Sequence, residues 1–431
     1  MNESPVRLAL VGLGYWGPNL LRAAMDLEDV EVAVLCDTSE AALSRHTRRS
    51  PYARATTRVE DVLADESIDG VLVATPVQTH YEIARSCLQA GKHVFVEKPV
   101  ATTSADVRDL ISLAVERELI LMPGHVFLYA PPVVRIKRLL DEGALGKIYF
   151  VTSTRVNLGI HRSDSSVIQD LAPHDFSILH YWFGMPEFAR AIARDSVVPG
   201  LWDVAFVDLG YDSGTLVHIE LSWLAPTKLR RTVIAGSKAM VVYDDTATEQ
   251  VRVFDRGAVF EPRNFGEPHR SGMAYRMGDV VSPHIDAAEP LRVELADFVA
   301  SIRSGDQPRS HMRMGLDIVQ IVEAAERSLV YNGAPVQVIA GEGERRRVPD
   351  RRRNPAARRF SNEAPSSGLA VQVTPGSGAE DRGGDSAAAA VLGEEQAPQT
   401  PASNGHAGEG AMPAAGEANG ASTLDAPATS S

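Results

Sequence analysis

Val6-Arg7-Leu8-Ala9-Leu10-Val11-Gly12-Leu13-Gly14-Tyr15-Trp16-Gly17-Pro18 is the stretch that decides the fold of this chain. Val6–Val11 is an apolar run of strand length, and Pro18–Leu27 has the apolar spacing of an amphipathic helix with proline in its first turn. The three glycines stand between strand and helix. Gly12 permits a tight turn, Gly14 lets the backbone approach a pyrophosphate, and Gly17 lets helix and strand pack closely. The helix start then offers free N–H groups to negative phosphates. Asp37 ends the next apolar run, twenty residues past Gly17, where an acid meets the ribose hydroxyls of a dinucleotide. It repels a 2′-phosphate, so this spacing favours NAD over NADP. Taken alone, Asp37 also reads as a helix cap.

The same grammar continues to about Pro123. Val30–Cys36, Gly70–Thr75, His93–Glu97 and Ile120–Met122 read as strands, and Ser39–Arg49, Val59–Ala64, Gln78–Ala90 and Ser104–Arg117 read as helices between them. Apolar strands alternating with helices imply a parallel sheet covered on both faces, so residues 1–124 are read as a Rossmann domain. After Gly124 the pattern changes. Pro131–Asp141 and Gln169–Phe183 read as helices and Lys147–Asn157 as a long strand. The runs Ala189–Val198, Val204–Leu209, Thr215–Trp223, Lys228–Ala235, Ala239–Tyr243 and Gln250–Phe254 are joined by short turns. With helices near Leu291–Ser304 and Met314–Tyr331, residues 125–340 read as an α+β domain on a mainly antiparallel sheet. The fold class is α/β. Residues 341–431 are Arg-rich and then rich in Ala, Gly, Pro, Ser and Glu without periodicity, which reads as a disordered tail.

Bulk properties exclude several classes. A formal charge of −13 opposes binding to a nucleic-acid backbone. Cys36 and Cys87 are the only cysteines, too few for a disulfide framework or a Cys-rich zinc site, and they suit a reducing cytoplasm. The N-terminus lacks a signal-peptide pattern, and no apolar stretch reaches membrane-spanning length, so no membrane partner is expected.

Two further groups carry chemistry. Glu97-Lys98-Pro99 ends a strand, at the sheet edge where ligands of open α/β sheets collect. Lys98 there can hydrogen-bond the oxygen whose carbon gives up hydride, with Pro99 fixing the chain locally to aim it; a cis bond is one way to do so. In isolation the tripeptide also reads as a strand end with a solvated lysine. Asp170 and His174, four apart, share one helical face, and Pro173 suits a first turn that sets the pair at a mouth. A histidine can take the hydroxyl proton as hydride leaves, while Asp170 orients a neighbouring hydroxyl. A helix cap and a packed core histidine are the bland alternatives. His180 is six residues on and no His-Glu-x-x-His occurs, so no metal is expected.

In sequence order, Gly12-Leu13-Gly14-Tyr15-Trp16-Gly17, Ala74-Thr75-Pro76 with Thr79-His80, His93-Val94-Phe95-Val96-Glu97-Lys98-Pro99 and Asp170-x-x-x-His174 resemble the Gfo/Idh/MocA family of glucose–fructose oxidoreductases and inositol dehydrogenases. The resemblance spans roughly residues 5–340. It implies NAD as cofactor and hydride transfer at a sugar hydroxyl or keto carbon. Lys98 and His174 become the catalytic pair, with His174 the proton acceptor and Asp170 a substrate ligand. Thr75, Pro76, His80 and Glu97 line the dinucleotide site beside Gly12, Gly14, Tyr15, Trp16, Gly17 and Asp37. It also implies assembly through an open sheet into homodimers or homotetramers. Thr154-Arg155-Val156-Asn157-Leu158-Gly159 with Asp170–Asp175 looks like members that act on nucleotide sugars, some at the 3-hydroxyl of UDP-N-acetylglucosaminuronate. Arg155 and Asn157 then contact a carboxylate or phosphate, or else form a polar strand edge. An inositol or free-sugar dehydrogenase, and a dinucleotide-binding sensor without chemistry, are the competing functions. An intact Lys98, Asp170 and His174 set counts against the sensor.

Overall fold

The computed structural model describes residues 4–159, 165–260 and 273–338. The first unit of the chain runs β1 (Val6–Val11), α1 (Gly17–Met25), β2 (Val30–Cys36), α2 (Glu40–Thr47), β3 (Arg54–Thr56), α3 (Val59–Leu63), β4 (Gly70–Val73), α4 (His80–Gln89), β5 (His93–Glu97), α5 (Ser104–Glu116) and β6 (Leu121–Gly124). Its six strands form one parallel sheet in the order β3-β2-β1-β4-β5-β6. From β1 the chain winds outward to β3 and then returns to the other side of β1, so β1 and β4 flank the topological switch point. The register sets Val11 level with Cys36 and Val73, Val73 with Val96, and Val96 with Pro123. Gly12, Asp37, Ala74, Glu97 and Gly124 therefore leave the sheet along one carboxyl edge.

Two-residue periodicity divides the strand side chains between two cores. Leu8, Leu10, Leu35, Leu72, Phe95 and Met122 face one cluster, and Ala9, Val11, Val34, Val71, Val73, Val94 and Val96 face the other. The edge strand β3 has no apolar run, and its first two residues are exposed, which is why its sequence gives no strand signal.

The second half contains α6 (Pro131–Asp141), β7 (Ile148–Leu158), α7 (Val167–Phe183), β8 (Phe188–Arg194), β9 (Val204–Gly210), β10 (Leu216–Ser222), β11 (Leu224–Gly236), β12 (Met240–Asp244), β13 (Val251–Phe260), β14 (Met273–Val281), α8 (Pro290–Ser304), α9 (Met312–Val330) and β15 (Val336–Gln337). The strands form a nine-stranded sheet, β14-β13-β12-β11-β7-β10-β9-β8-β15. Every pairing in it is antiparallel except β7 with β10, at the centre. β14, unannounced by the sequence, is an edge strand with Tyr275 and Met277 exposed.

Two local expectations are corrected. α7 starts at Val167, two residues before the sequence reading, because Ser166 and Gln169 form a reciprocal capping box. Pro173 thus lies inside the helix rather than in its first turn. The strand expected to reach Val198 ends at Arg194. Helices α8 and α9 turn back to the parallel sheet. Phe298 of α8 meets Phe95 edge-to-face at 5.9 Å, and Leu316 and Val319 of α9 join the second core cluster. No helix among the described residues is long and apolar enough to cross a membrane. The tail from 341 onward lies outside the described residues.

Candidate active site

The glycine turn has the geometry of a phosphate cradle. Gly12 has φ +99°, and a Cβ on it would lie 2.6 Å from the Ala74 carbonyl oxygen. A Cβ on Gly17 would lie 2.0 Å from the Gly12 carbonyl oxygen, so strand and helix touch there through bare backbone. A Cβ on Gly14 would meet nothing within 4 Å, so that glycine borders open space. No side chain caps the start of α1, which leaves its first-turn N–H groups to a ligand. Tyr15 is exposed beside this space, while Trp16 packs on the core. Asp37 stands at the carboxyl end of β2. One carboxylate oxygen accepts the Leu13 N–H at 2.6 Å and the other the Ser39 N–H at 2.8 Å. The carboxylate is thereby fixed against the glycine loop. An open glycine, an uncapped helix start and a fixed acid together fit a dinucleotide.

Beyond β4 and β5 the same edge carries the candidate reactive groups. Thr75 is half-buried and Pro76 exposed, whereas His80 is buried. The His80 ring nitrogens lie 2.8 Å from the carbonyl oxygens of Thr75 and Pro99. His80 therefore ties the loop after β4 to the turn after β5, and its ring holds those loops rather than facing the open space. Burial lowers its basicity. The Lys98–Pro99 peptide is cis. Burial pushes the Glu97 carboxyl up to about 7, against the pull of the adjacent Lys98 charge and backbone N–H.

Lys98 and Asp170, 72 residues apart, meet. Lys98 Nζ donates to the Asp170 carbonyl oxygen at 2.8 Å and lies 3.8 Å from its carboxylate. Pro173 has no N–H for the carbonyl of Gln169, so the helix ladder is already interrupted at this turn. His174 follows on the same face of α7, with its ring edge against Phe127 at 5.1 Å. Burial, then the charges of Lys98, Arg155, Arg230 and His125, hold His174 well below the ordinary imidazole range. The ring is neutral near pH 7, the form that can accept a proton.

Arg155 lies on the inner face of β7, and its Nη1 is buried without a hydrogen-bond partner. Its side chain is buried, ion-paired with Asp175 at 2.5 Å, and lies over the Phe127 ring at 4.9 Å. Asp175 in turn accepts from Ser153 at 2.8 Å. Asn157 lies half-buried two residues on. Four residues near the site went unread in the sequence: Phe127, Arg230, His125 and Glu294. Arg230 is directly opposite Arg155 in the β7–β11 ladder and lies 5.8 Å from the Phe127 ring centre. Strand alternation from the buried Thr232 could have placed it on the inner face. His125 is buried, with burial and then Lys98 and His180 pushing it down to about 3. Glu294 is wholly buried, and burial followed by Glu97 and Asp297 raises its carboxyl well above the usual range.

Comparison with known proteins places this arrangement in a family. Residues 6–125 match the family described as oxidoreductase, NAD-binding Rossmann fold, and residues 133–242 match the Gfo/Idh/MocA C-terminal domain. The chain is 25% identical to myo-inositol 2-dehydrogenase of Thermotoga maritima, over 75% of this chain and 96% of that protein. It is 28% identical to D-apiose dehydrogenase of Paraburkholderia graminis, over 78% of this chain and 90% of the relative. The WlbA dehydrogenase of Bordetella pertussis, solved with NADH and UDP-GlcNAcA, shares the fold at a TM-score of 0.66 and 20% identity, covering 79% and 99% of the two chains. The phosphate cradle, the lysine at the strand edge and these matches agree: the chain belongs to the Gfo/Idh/MocA oxidoreductase family and is an NAD-dependent dehydrogenase.

Proposed function

We propose that the protein oxidises a secondary hydroxyl of a nucleotide sugar, with UDP-N-acetylglucosaminuronate and its 3-hydroxyl as the first candidate. The observation that carries this reading is the convergence of Lys98, Asp170 and His174 at the carboxyl edge of the parallel sheet. NAD, when bound, supplies the hydride acceptor. Gly12, Gly14 and the start of α1 hold its phosphates, and Asp37 takes the ribose hydroxyls. Lys98 hydrogen-bonds the substrate oxygen and stabilises the negative charge that builds on it. His174 takes the hydroxyl proton on a ring nitrogen and returns it in the reverse reaction. Asp170 orients a neighbouring hydroxyl and holds the Lys98 ammonium in place.

The stretch Thr154–Gly159 with Asp170–Asp175 favours a nucleotide sugar; the inositol and apiose dehydrogenases among the relatives favour a free polyol. The test is growth of the reduced-nicotinamide absorbance band when protein and NAD meet UDP-sugars or neutral polyols. A Lys98→Ala, His174→Ala double variant runs beside the wild type. Turnover of UDP-sugars that the variant lacks supports the proposal. Turnover of polyols alone transfers the site to free-sugar chemistry, and NAD binding without turnover of either class supports a sensor. A reducing cytoplasm suits Cys36 and Cys87, both buried thiols. Self-assembly through the outer face of the nine-stranded sheet completes the proposal, because Phe150, Ile192 and Leu216 stand exposed there.

A further inference from the structure

Arg155 and Arg230 are cross-strand partners, and like charges directly opposite each other destabilise a ladder. Each has a counter-ion, but the two pairs differ. Arg155 is 7% exposed and its partner Asp175 5%, so that pair is sealed in the core. Arg230 is 35% exposed and touches Asp245 through one nitrogen, at 3.2 Å. A guanidinium has five N–H donors in a planar fork. Arg230 therefore keeps the edge of its fork open to solvent and to a ligand, while Arg155, whose Nη1 has no hydrogen-bond partner, is sealed from solvent.

The position of that fork relative to the chemistry is fixed by Phe127. One face contact reaches Arg230 at 5.8 Å from the ring centre, and an edge contact reaches His174 at 5.1 Å. Arg230 is close enough for its charge to act on His174. Arg230 and His174 thus share Phe127 as a neighbour, and each leg is longer than a hydrogen bond, so a substrate can lie between an anion held by Arg230 and the ring nitrogen of His174.

We infer that Arg230 is the specificity-determining residue of this site, and that it binds the carboxylate of a uronate substrate. This rests on the dehydrogenase reading above and deepens it. Arg155 becomes the buried support that, with Asp175, sets Phe127 and through it the spacing between Arg230 and His174. Asp245 competes with the substrate for the fork, and so tunes the affinity.

The experiment compares three probes on NAD-loaded protein: UDP-N-acetylglucosaminuronate, UDP-N-acetylglucosamine, which keeps the diphosphate but lacks the carboxylate, and glucuronate, which keeps only the carboxylate. In Arg230→Gln the ratio of kcat/KM for the uronate over the neutral nucleotide sugar falls about 30- to 100-fold, the effect of losing a charged hydrogen-bonded partner. Arg230→Lys recovers part of it, because the charge returns without the fork. Asp245→Asn shifts the ratio the other way, which keeps the inference testable should Arg230→Gln fold poorly. The acid limb of the pH–rate profile also moves upward in Arg230→Gln, since a cation near His174 is gone. An unchanged ratio overturns the inference, and equal losses on both nucleotide sugars assign the fork to the diphosphate instead. Calorimetric titration of glucuronate into the NADH-loaded protein needs no turnover. Arg230-dependent binding with no turnover of either nucleotide sugar retains the anion site and removes the nucleotide-sugar reading; no glucuronate binding to the wild type removes the site.

Discussion

His174 faces three fixed cations and a neutral imidazole, Lys98, Arg155, Arg230 and His125, in a buried setting. Its conjugate acid is disfavoured in the resting enzyme, so the acid limb of kcat/KM for alcohol oxidation is expected well below 6.5, the ordinary imidazole value. A limb at or above that value would contradict His174 as the proton acceptor. Removing the ring in His174→Ala costs about 10²- to 10⁴-fold in kcat, with NAD affinity retained. Glu97 gives a stability signature of opposite origin. Unfolded, it ionises near 4.5; folded, burial holds it protonated up to about 7. Because the folded value is the higher, Glu97 contributes stability that is full below pH 4.5 and is lost as pH rises through 7. Thermal melts of the cofactor-free protein should fall across that window, and Glu97→Gln should flatten the fall.

Strand–turn–helix geometry supplies the next scale. Gly17 and Gly14 look equivalent in the motif, yet they do different things. Gly17→Ala forces a Cβ to within 2.0 Å of backbone oxygen, so α1 must move off β1. About 1–3 kcal/mol of stability is expected to go, and NAD affinity with it. Gly14→Ala meets nothing within 4 Å, so melting should stay unchanged, while NAD binding should weaken on the proposal that the pyrophosphate passes over this glycine. Calorimetry and NAD titration on both variants check the contrast. This turn, Asp37 and the five longer parallel strands were legible in the sequence because each is a local pattern of apolar periodicity and glycine placement. The capping box at Ser166 was equally local, and Ser-x-x-Gln could have set the start of α7 correctly. Arg230 was not legible in that way. What sets its role is the register of β11 on β7 and the burial of Arg155 by Asp175, and both are settled only by long-range packing. The edge strands β3 and β14 were missed for a similar reason, since neither carries the buried apolar row on which strand patterns depend.

For the molecule as a whole, the two faces of the nine-stranded sheet differ. On the inner face Val151, Val207, Val217 and Ile219 are buried in the core. On the outer face Phe150, Ile192 and Leu216 are 47%, 53% and 60% exposed. A patch of this kind suits a two-fold contact with its own copy. Light scattering should find a dimer or tetramer in solution, and an Ile192→Glu, Leu216→Glu variant should run at lower mass with its NAD affinity kept. A monomeric wild type would remove the assembly reading and leave the chemistry standing. The return of α8 and α9 to the parallel sheet has a different consequence, one of timing. Phe95 is covered by Phe298, and the second core is completed by Leu316 and Val319. Arg22 is pinned to Glu289 and Arg303 to Asp29, joining the first helix and the turn before β2 to α8. As the chain leaves the ribosome, its nucleotide-binding half must wait for about two hundred further residues before its own interior is closed. Until then the nascent chain leaves Phe95 and part of the second core uncovered, apolar surface of the kind that chaperones shield.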